Sequence, residues 1–272
     1  MMKFSVLMSL YDKEQPEFLN DCLTSLARQS VMPTEIVIVY DGYVNNVLKK
    51  VVNSYLSILP IKILQLPNNI GLGLALNQGL KYCAYDYVAR MDTDDICVDN
   101  RFERQVAHII QHPELSICGG GISEYDLTLT HFLGNRDVPK CHSEIKKYIT
   151  MRNPFNHMTV MFKKNDVLSV GGYVHHDLME DYNLWIRMLS KGFKASNLDG
   201  ILVHARTGNA MLCRRKGWRY IKSEFYLAKV KIEYNIQSVP YAYFIMVARV
   251  VPRLLPTKFL SLFYRITRKT KL

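Results

Sequence analysis

The sequence lacks the features of several non-globular and metal-ribbon classes of protein. Its six cysteines are scattered without a C-x-x-C pair, which argues against a disulfide framework or a zinc ribbon and favours reduced thiols. Glycine and proline are few, 14 and 10 of 272 residues, and no repeat is present, so collagen-like, low-complexity and solenoid folds are excluded. With 49% hydrophobic and 22% charged residues, the chain is long enough for one large α/β domain or two small ones.

Long hydrophobic runs are also missing. The apolar stretch at the N-terminus is short and no small-residue cleavage site follows it, so we predict no signal peptide and a cytoplasmic location. The uncharged stretch 235–248 is shorter than the roughly 20 residues of a spanning helix, and Pro240 interrupts it. We therefore expect no transmembrane helix.

Acidic residues are nearly absent from the C-terminal quarter of the chain. Of the 35 Lys and Arg residues, 15 lie in 206–272, where Glu224 and Glu233 are the only acids. The cations alternate with large apolar and aromatic residues, a mixture typical of helices that lie in an anionic lipid interface. A solvated basic face and a nucleic-acid-binding surface are the alternatives. We expect peripheral membrane contact and no nucleic acid.

Hydrophobic spacing predicts alternating strands and helices in the first ninety residues. This alternation predicts a doubly wound, mainly parallel α/β sheet, whose ligands bind beyond the carboxyl ends of the strands. The later pattern is less regular and predicts a mixed sheet in the second half. The predicted strands are 4–10, 35–40, 61–66, 86–91, 115–120 and 157–162. The first predicted helix begins at Pro16, and the others cover 44–56, 72–83, 100–111, 143–150 and 181–190.

Acidic residues follow three of these strands. Asp12 follows the first and Asp41 the second, and three acids within 92–95 follow the fourth. Because alternate residues of an extended segment point to the same side, Asp92 and Asp94 can surround one hard divalent cation. Adjacent acids also repel one another unless a positive charge lies among them. We therefore predict a metal site, with helix capping as the alternative for Asp95.

Other motifs with similar spacing do not match. A calcium-binding EF-hand loop needs glycine where Cys97 stands, and a dinucleotide fingerprint would follow the first strand, whereas its nearest match, 71–76, follows the third. A nucleoside-diphosphate donor fits better, because a divalent ion neutralises the departing pyrophosphate. Asp12 and Asp41 would then accept hydrogen bonds from the base and ribose, with a simple turn as the alternative for Asp41.

A second acidic pair, Glu180 and Asp181, begins a predicted helix. Leu184 and Met188 form its apolar stripe, which leaves the two carboxylates at the N-terminal turn, where the helix dipole stabilises their ionised form. An ionised carboxylate can accept a proton. Helix N-capping is the alternative.

Taken in order, these motifs resemble the family-2 glycosyltransferases with the GT-A fold. The resemblance covers roughly residues 3–206, and it implies a GT-A domain at 1–205 and a basic, amphipathic helical region at 206–272. The segment from Arg206 to Arg215 is further similar to bacterial exopolysaccharide and O-antigen hexosyltransferases of the amylovoran type. The motifs are the N-terminal strand, Asp41-Gly42, N-x-G-L-x-x-A-L-N-x-G-L at 69–80, D-T-D at 92–94 and E-D at 180–181.

The resemblance implies a role for each acidic residue. Asp12 and Asp41 would bind the uridine of a UDP-sugar. Asp92 and Asp94 would flank its diphosphate, and Asp94 would hold Mn²⁺ or Mg²⁺. Asp181 would remove the proton of the acceptor hydroxyl, so that one displacement inverts the anomeric configuration.

Further residues receive supporting roles from the same resemblance. Glu180 would orient the acceptor or support Asp181. The alternatives are lipid-facing charge for the arginines, a packed strand position for His204 and a core position for Trp185. The supporting residues are Arg206, Arg214 and Arg215 as phosphate clamps, His204 as a metal ligand, and His157 and Trp185 as acceptor contacts.

The resulting hypothesis is an inverting, metal-dependent hexosyltransferase of bacterial surface polysaccharide synthesis. It would move galactose or glucose from UDP to a polyprenyl-diphosphate-linked saccharide at the cytoplasmic face of the inner membrane. A UDP-N-acetylhexosamine or deoxysugar donor is one alternative. A non-catalytic basic protein that binds membrane or RNA is the other.

Overall fold

The computed structural model describes residues 2–208 and 217–254, in which helices cover both faces of a nine-stranded sheet. The strands are β1 (Phe4–Leu10), β2 (Glu35–Tyr40), β3 (Ile61–Gln65), β4 (Tyr87–Arg90), β5 (Ile96–Cys97), β6 (Leu115–Tyr125), β7 (Phe132–Arg136), β8 (Met161–Lys163) and β9 (Lys194–Arg206). The helices are α1 (Pro16–Ala27), α2 (Asn46–Ser54), α3 (Leu72–Tyr82), α4 (Arg101–Gln111), α5 (His142–Tyr148), α6 (Lys164–Ser169), α7 (Glu180–Ser190), α8 (Gly217–Glu233) and α9 (Val239–Leu254).

The N-terminal half is the predicted doubly wound parallel sheet. Its strands lie in the order β3-β2-β1-β4, and all three pairings are parallel. Alternate residues of β1 serve opposite faces: Leu7 packs into the core that contains α3, and Val6 packs into the core that contains α1 and α2. The closeness of α3 to the sheet depends on Gly79, where a Cβ would stand 2.5 Å from side-chain atoms of Leu7 and Val39.

The second half of the sheet is mixed, as predicted. β8 is antiparallel to both β4 and β6, β9 is parallel to β6, and β5 and β7 are antiparallel edge partners of β9 and β6. The strand predicted at 157–162 is instead a short 3-10 turn, His157–Thr159, followed by β8. Helix α2 is shorter than the predicted 44–56, because the Asn45 side chain accepts hydrogen bonds from the first backbone N–H groups and caps it there.

Helices α8 and α9 form an antiparallel pair that we call the C-terminal hairpin, residues 217–254. Its inner face contributes Tyr220, Leu227 and Val230 to the same hydrophobic core as α3 and α7. Within the described part of the chain, the helices fall short of the length and hydropathy that crossing a bilayer requires.

Candidate active site

The loops that follow the four parallel strands meet at one edge of the sheet. Thr93, in the loop after β4, donates a 2.6 Å hydrogen bond to the Glu14 carboxylate, in the loop after β1. Asp41, at the end of β2, accepts hydrogen bonds from the backbone N–H groups of Ile70 (2.7 Å) and Gly71 (3.1 Å), in the loop after β3. Parallel topology thus brings four polar loops to one side of the molecule.

Asp12 and Asp41 both shape these loops. Asp41 is buried and holds the loop after β3, and Asp12 is exposed and accepts a 2.8 Å hydrogen bond from the Asn45 backbone N–H. Gly42 has φ +82°, and a Cβ there would lie 2.5 Å from the Asn69 backbone nitrogen. The turn that was the alternative for Asp41 is therefore present, and nucleotide binding by these two aspartates stays a prediction.

Three carboxylates cluster in the loop after β4. One oxygen from each of Asp92, Asp94 and Asp95 lies within 4.8 Å of the others. Burial, and then the charges of Asp92 and Glu14, raise the pKa of Asp94 to about 7. Burial and the neighbouring aspartates also raise the pKa of Asp95 well above its usual range. A group of carboxylate oxygens with an excess of negative charge fits a hard divalent cation.

The positive partner of this cluster in the protein is Arg90, which the sequence pattern did not identify. Arg90 ends β4, is 1% exposed, and donates hydrogen bonds to the Asp92 carboxylate and the Met91 carbonyl. Its charge lowers the pKa values of Asp94, Glu180 and His157. The sequence carried one indication of such a residue: adjacent acids repel one another, which predicts a cation close to them in the fold.

The second acidic pair lies close to the loop after β3, and we call the region between the two acidic groups the candidate cleft. Burial, followed by the charge of Asp181, raises the pKa of Glu180 to about 7, and the charge of Asp92 contributes in the same direction. Glu180 also approaches the loop after β3, because a Cβ on Gly73 would lie 3.0 Å from the Glu180 Cβ. Carboxylates separated by almost ninety residues of sequence therefore interact electrostatically.

Asp181 is held in a defined orientation. Its Oδ2 accepts a 2.7 Å hydrogen bond from the Asn153 side-chain amide, and its Oδ1 accepts one of 2.7 Å from the Tyr182 backbone N–H. Position 181 lies in the first turn of α7, where the helix dipole favours a negative charge. Asn153 is a second residue that the sequence analysis missed, because no local pattern pairs it with Asp181.

The two predicted acceptor contacts, Trp185 and His157, have different surroundings in the structure. Trp185 has no exposed surface and packs with Phe155 and Phe162 at ring-centroid distances of 5.4 and 6.3 Å, so the prediction that it contacts acceptor is wrong. Its position on the buried face of α7 makes it a core residue. His157 bonds the Tyr173 hydroxyl at 2.9 Å, and burial lowers its pKa to about 4, so it is neutral at pH 7.

His204 also requires correction, and Arg206 has defined partners. His204 lies on β9, outside the cluster of three aspartates, and makes an edge contact with the Tyr125 ring, as the packed-strand alternative proposed. Arg206 is held by contacts within the protein, and its predicted role as a phosphate clamp stays a prediction. Its guanidinium bonds the Asp94 carbonyl, the Leu127 carbonyl and the Asp21 carboxylate and stacks 4.3 Å above Phe18, which holds it against the loop after β4. Arg214 and Arg215 lie outside the described residues.

Comparisons with known proteins identify the family of the chain. A family model described as "Glycosyl transferase family 2" matches residues 5–220. The chain is 43% identical to the amylovoran biosynthesis glycosyltransferase AmsE of Erwinia amylovora, over 98% of this chain and 99% of the relative. It is 37% identical to an Escherichia coli UDP-Gal:alpha-D-GlcNAc-diphosphoundecaprenol beta-1,3-galactosyltransferase, over 97% of this chain and 95% of the relative.

The fold is also similar to that of solved glycosyltransferases. S. aureus TarS 1-349, crystallised with UDP-GlcNAc, superposes with a TM-score of 0.67 at 20% identity, over 93% of this chain and 72% of TarS. The family match covers most of the chain and includes both acidic groups of the cleft. The chain therefore belongs to glycosyl transferase family 2 and has the GT-A fold.

Proposed function

We propose that this glycosyltransferase is an inverting, metal-dependent enzyme of bacterial surface polysaccharide synthesis. It transfers a hexose, galactose or glucose, from a UDP-sugar to a polyprenyl-diphosphate-linked saccharide. The observation that carries the proposal is the packing of Glu180 against the loop after β3, which brings the second acidic pair to the strand ends that carry Asp92, Asp94 and Asp95. The names of the Erwinia and Escherichia coli relatives support the pathway and the substrate class.

The donor side of the cleft holds the leaving group. Asp92, Asp94 and Asp95 supply oxygen ligands for Mn²⁺ or Mg²⁺, and a bound ion would supply positive charge at the diphosphate. Asp41 fixes the loop after β3 against the end of β2, so that backbone N–H groups and carbonyls of this loop have a constant geometry for the nucleoside. Asp12 lies beside them at the end of β1.

The acceptor side activates the attacking hydroxyl. Asp181 accepts its proton at a carboxylate oxygen, while Asn153 and the Tyr182 N–H hold the carboxylate in place. Glu180 lies next to it and supports the orientation of the acceptor. Attack from this side, opposite the departing diphosphate, inverts the anomeric carbon.

A screen of nucleotide sugars for metal-dependent hydrolysis tests the reaction, because water replaces the acceptor and no lipid is needed. We expect UDP-galactose or UDP-glucose to be hydrolysed faster with Mn²⁺ or Mg²⁺ than with EDTA. If UDP-N-acetylglucosamine were hydrolysed fastest, the proposed donor would be wrong, but the proposed reaction would stand. Absence of metal-stimulated hydrolysis for every nucleotide sugar would contradict the proposal.

The C-terminal hairpin is proposed to attach the enzyme peripherally to the cytoplasmic face of the inner membrane, where its lipid-linked acceptor lies. Its outer face exposes aromatic residues, among them Trp218 (76% exposed) and Phe244 (65%). These side chains occur in the part of the sequence that is rich in cations, the combination that binds anionic lipid.

Vesicle sedimentation tests this attachment. The full chain should bind phosphatidylglycerol vesicles more strongly than phosphatidylcholine vesicles, and the double variant Trp218→Ser/Phe244→Ser should bind less. The control is Phe132→Ser, which removes another exposed aromatic residue (57%), from β7. Equal sedimentation of all three proteins would contradict the attachment, and salt-sensitive binding to RNA without vesicle binding would favour the nucleic-acid alternative.

A further inference from the structure

The loop that follows α5 is held by side chains from the C-terminal hairpin. Lys231 Nζ and Gln237 Nε2 both donate to the Thr150 carbonyl, at 2.7 and 2.8 Å. Arg249 Nη1 donates to the next carbonyl, that of Met151, at 2.9 Å. Three donors from α8, α9 and the turn between them therefore fix two consecutive peptide units of this loop.

The same loop leads to Asp181 by two routes. Asn153, two residues after Met151, donates to Asp181 Oδ2 at 2.7 Å. Tyr182, the residue after Asp181, donates from its hydroxyl to the Ile149 carbonyl at 2.6 Å. The loop thus contacts Asp181 through the side chain of Asn153, and it contacts helix α7 through the hydroxyl of Tyr182.

The hairpin donors are themselves firmly anchored. Arg249 bonds both oxygens of Glu224, at 2.8 and 2.9 Å, and Glu224 is 1% exposed. Lys231 is 2% exposed, and its Nζ lies 4.9 Å from the centroid of the Tyr182 ring, with the Arg249 guanidinium 5.8 Å from the same ring. The Arg249–Glu224 pair, half of which is buried, therefore holds a more constant geometry than an exposed ion pair.

We propose that Lys231, Gln237 and Arg249 are positioning residues of the glycosyltransferase, which fix the loop 149–153 and through it the orientation of Asp181. The proposal rests on the proposed function of Asp181 as the base. These three residues lie after residue 220, where the match to the family model ends. The C-terminal hairpin is accordingly part of the catalytic framework as well as a candidate membrane surface.

Arg249→Met in the full-length chain tests the proposal, with the donor that the hydrolysis screen identifies. The kcat for metal-dependent hydrolysis should fall roughly tenfold or more, because a misplaced base loses alignment, while the KM for the donor and the Kd for UDP with Mn²⁺ stay within about twofold. Lys222→Met is the matched control, since it removes an exposed cation from α8, and it should leave kcat unchanged.

A double-mutant cycle separates positioning from general destabilisation. If Arg249 acts through Asn153, Arg249→Met should cost less than about twofold in kcat once Asn153→Ala is present. Gln237→Leu, which removes one hydrogen bond and no charge, is the second variant if Arg249→Met does not fold, and it should lower kcat about threefold with an unchanged KM.

Three results would overturn the proposal. The first is an unchanged kcat in Arg249→Met or Gln237→Leu, and the second is a loss of kcat from Arg249→Met that is the same with Asn153 and with Asn153→Ala. The third is a loss of UDP affinity in Arg249→Met as large as its loss of kcat. If Asp181 were not the base, so that the proposed function itself failed, the result would be different. In that case Asp181→Asn would retain wild-type hydrolysis, whatever the hairpin variants do.

Discussion

The donor and acceptor sides of the cleft are built by different means. The donor side consists of loops placed by strand order, so each polar residue follows directly from the end of a parallel strand. The acceptor side consists of α7 and the loop 149–153, which are placed by individual side-chain hydrogen bonds from Asn153 and the C-terminal hairpin. The difference teaches that topology positions the proposed metal and nucleotide residues, whereas distant packing positions the proposed base.

The largest effect on stability is expected on the donor side, at Arg90. Arg90→Met removes the buried partner of Asp92 and leaves that carboxylate among other acids, so we expect a loss of about 3–5 kcal/mol in the free energy of unfolding. Arg28→Met is the control, because the Arg28–Asp99 pair is exposed and should contribute less than about 1 kcal/mol. Urea denaturation in EDTA measures both, and equal stabilities would refute the role of Arg90 as countercharge.

A smaller effect is expected from the turn after β2. Gly42→Ala should cost about 2–3 kcal/mol and weaken UDP binding, because the new Cβ meets the Asn69 backbone in addition to the strain of a positive φ. Gly192→Ala has a similar φ of +85° with no atom within 4 Å of its Cβ, so it measures the strain alone, about 1–2 kcal/mol. Thermal unfolding and UDP titration would detect the difference, and equal losses would exclude the contact.

The smallest effect is a pH dependence on the acceptor side. The folded pKa of Glu180, about 7, exceeds its ordinary value of 4.5, so the folded state binds the proton more tightly and wild-type stability falls as the pH rises between these values. Glu180→Gln should therefore match wild type near pH 4.5 and be more stable by about 1–2 kcal/mol above pH 7 in EDTA. Glu233→Gln, at an exposed position of α8, is the control. A gain that does not vary with pH would contradict this account.

The donor side was largely predictable from the sequence. The alternation of strands and helices fixed which residues follow parallel strands, and Asp41, Asp92 and Asp94 lie at those ends as expected. The partner that supports Asp92 was not predictable, because Arg90 differs from an ordinary strand residue only by what packs against it.

The acceptor side was predictable only at Glu180 and Asp181, which begin a helix with a recognisable apolar face. Trp185 and His204 were misplaced because an aromatic or imidazole side chain carries no periodic signal that separates a ligand contact from a core position. Asn153, Lys231 and Arg249 were not identified at all, since their roles depend on contacts between segments about 30 to 100 residues apart.

The division of labour between Asp94 and Asp181 is the central claim, and a paired titration tests it most directly. UDP affinity in the presence of Mn²⁺ and the kcat for donor hydrolysis would be measured for Asp94→Asn and Asp181→Asn. We predict that Asp94→Asn loses metal-dependent UDP affinity, while Asp181→Asn binds UDP within about twofold of wild type but loses roughly 10² or more in kcat. Hydrolysis by Asp181→Asn within a few-fold of wild type would contradict the account.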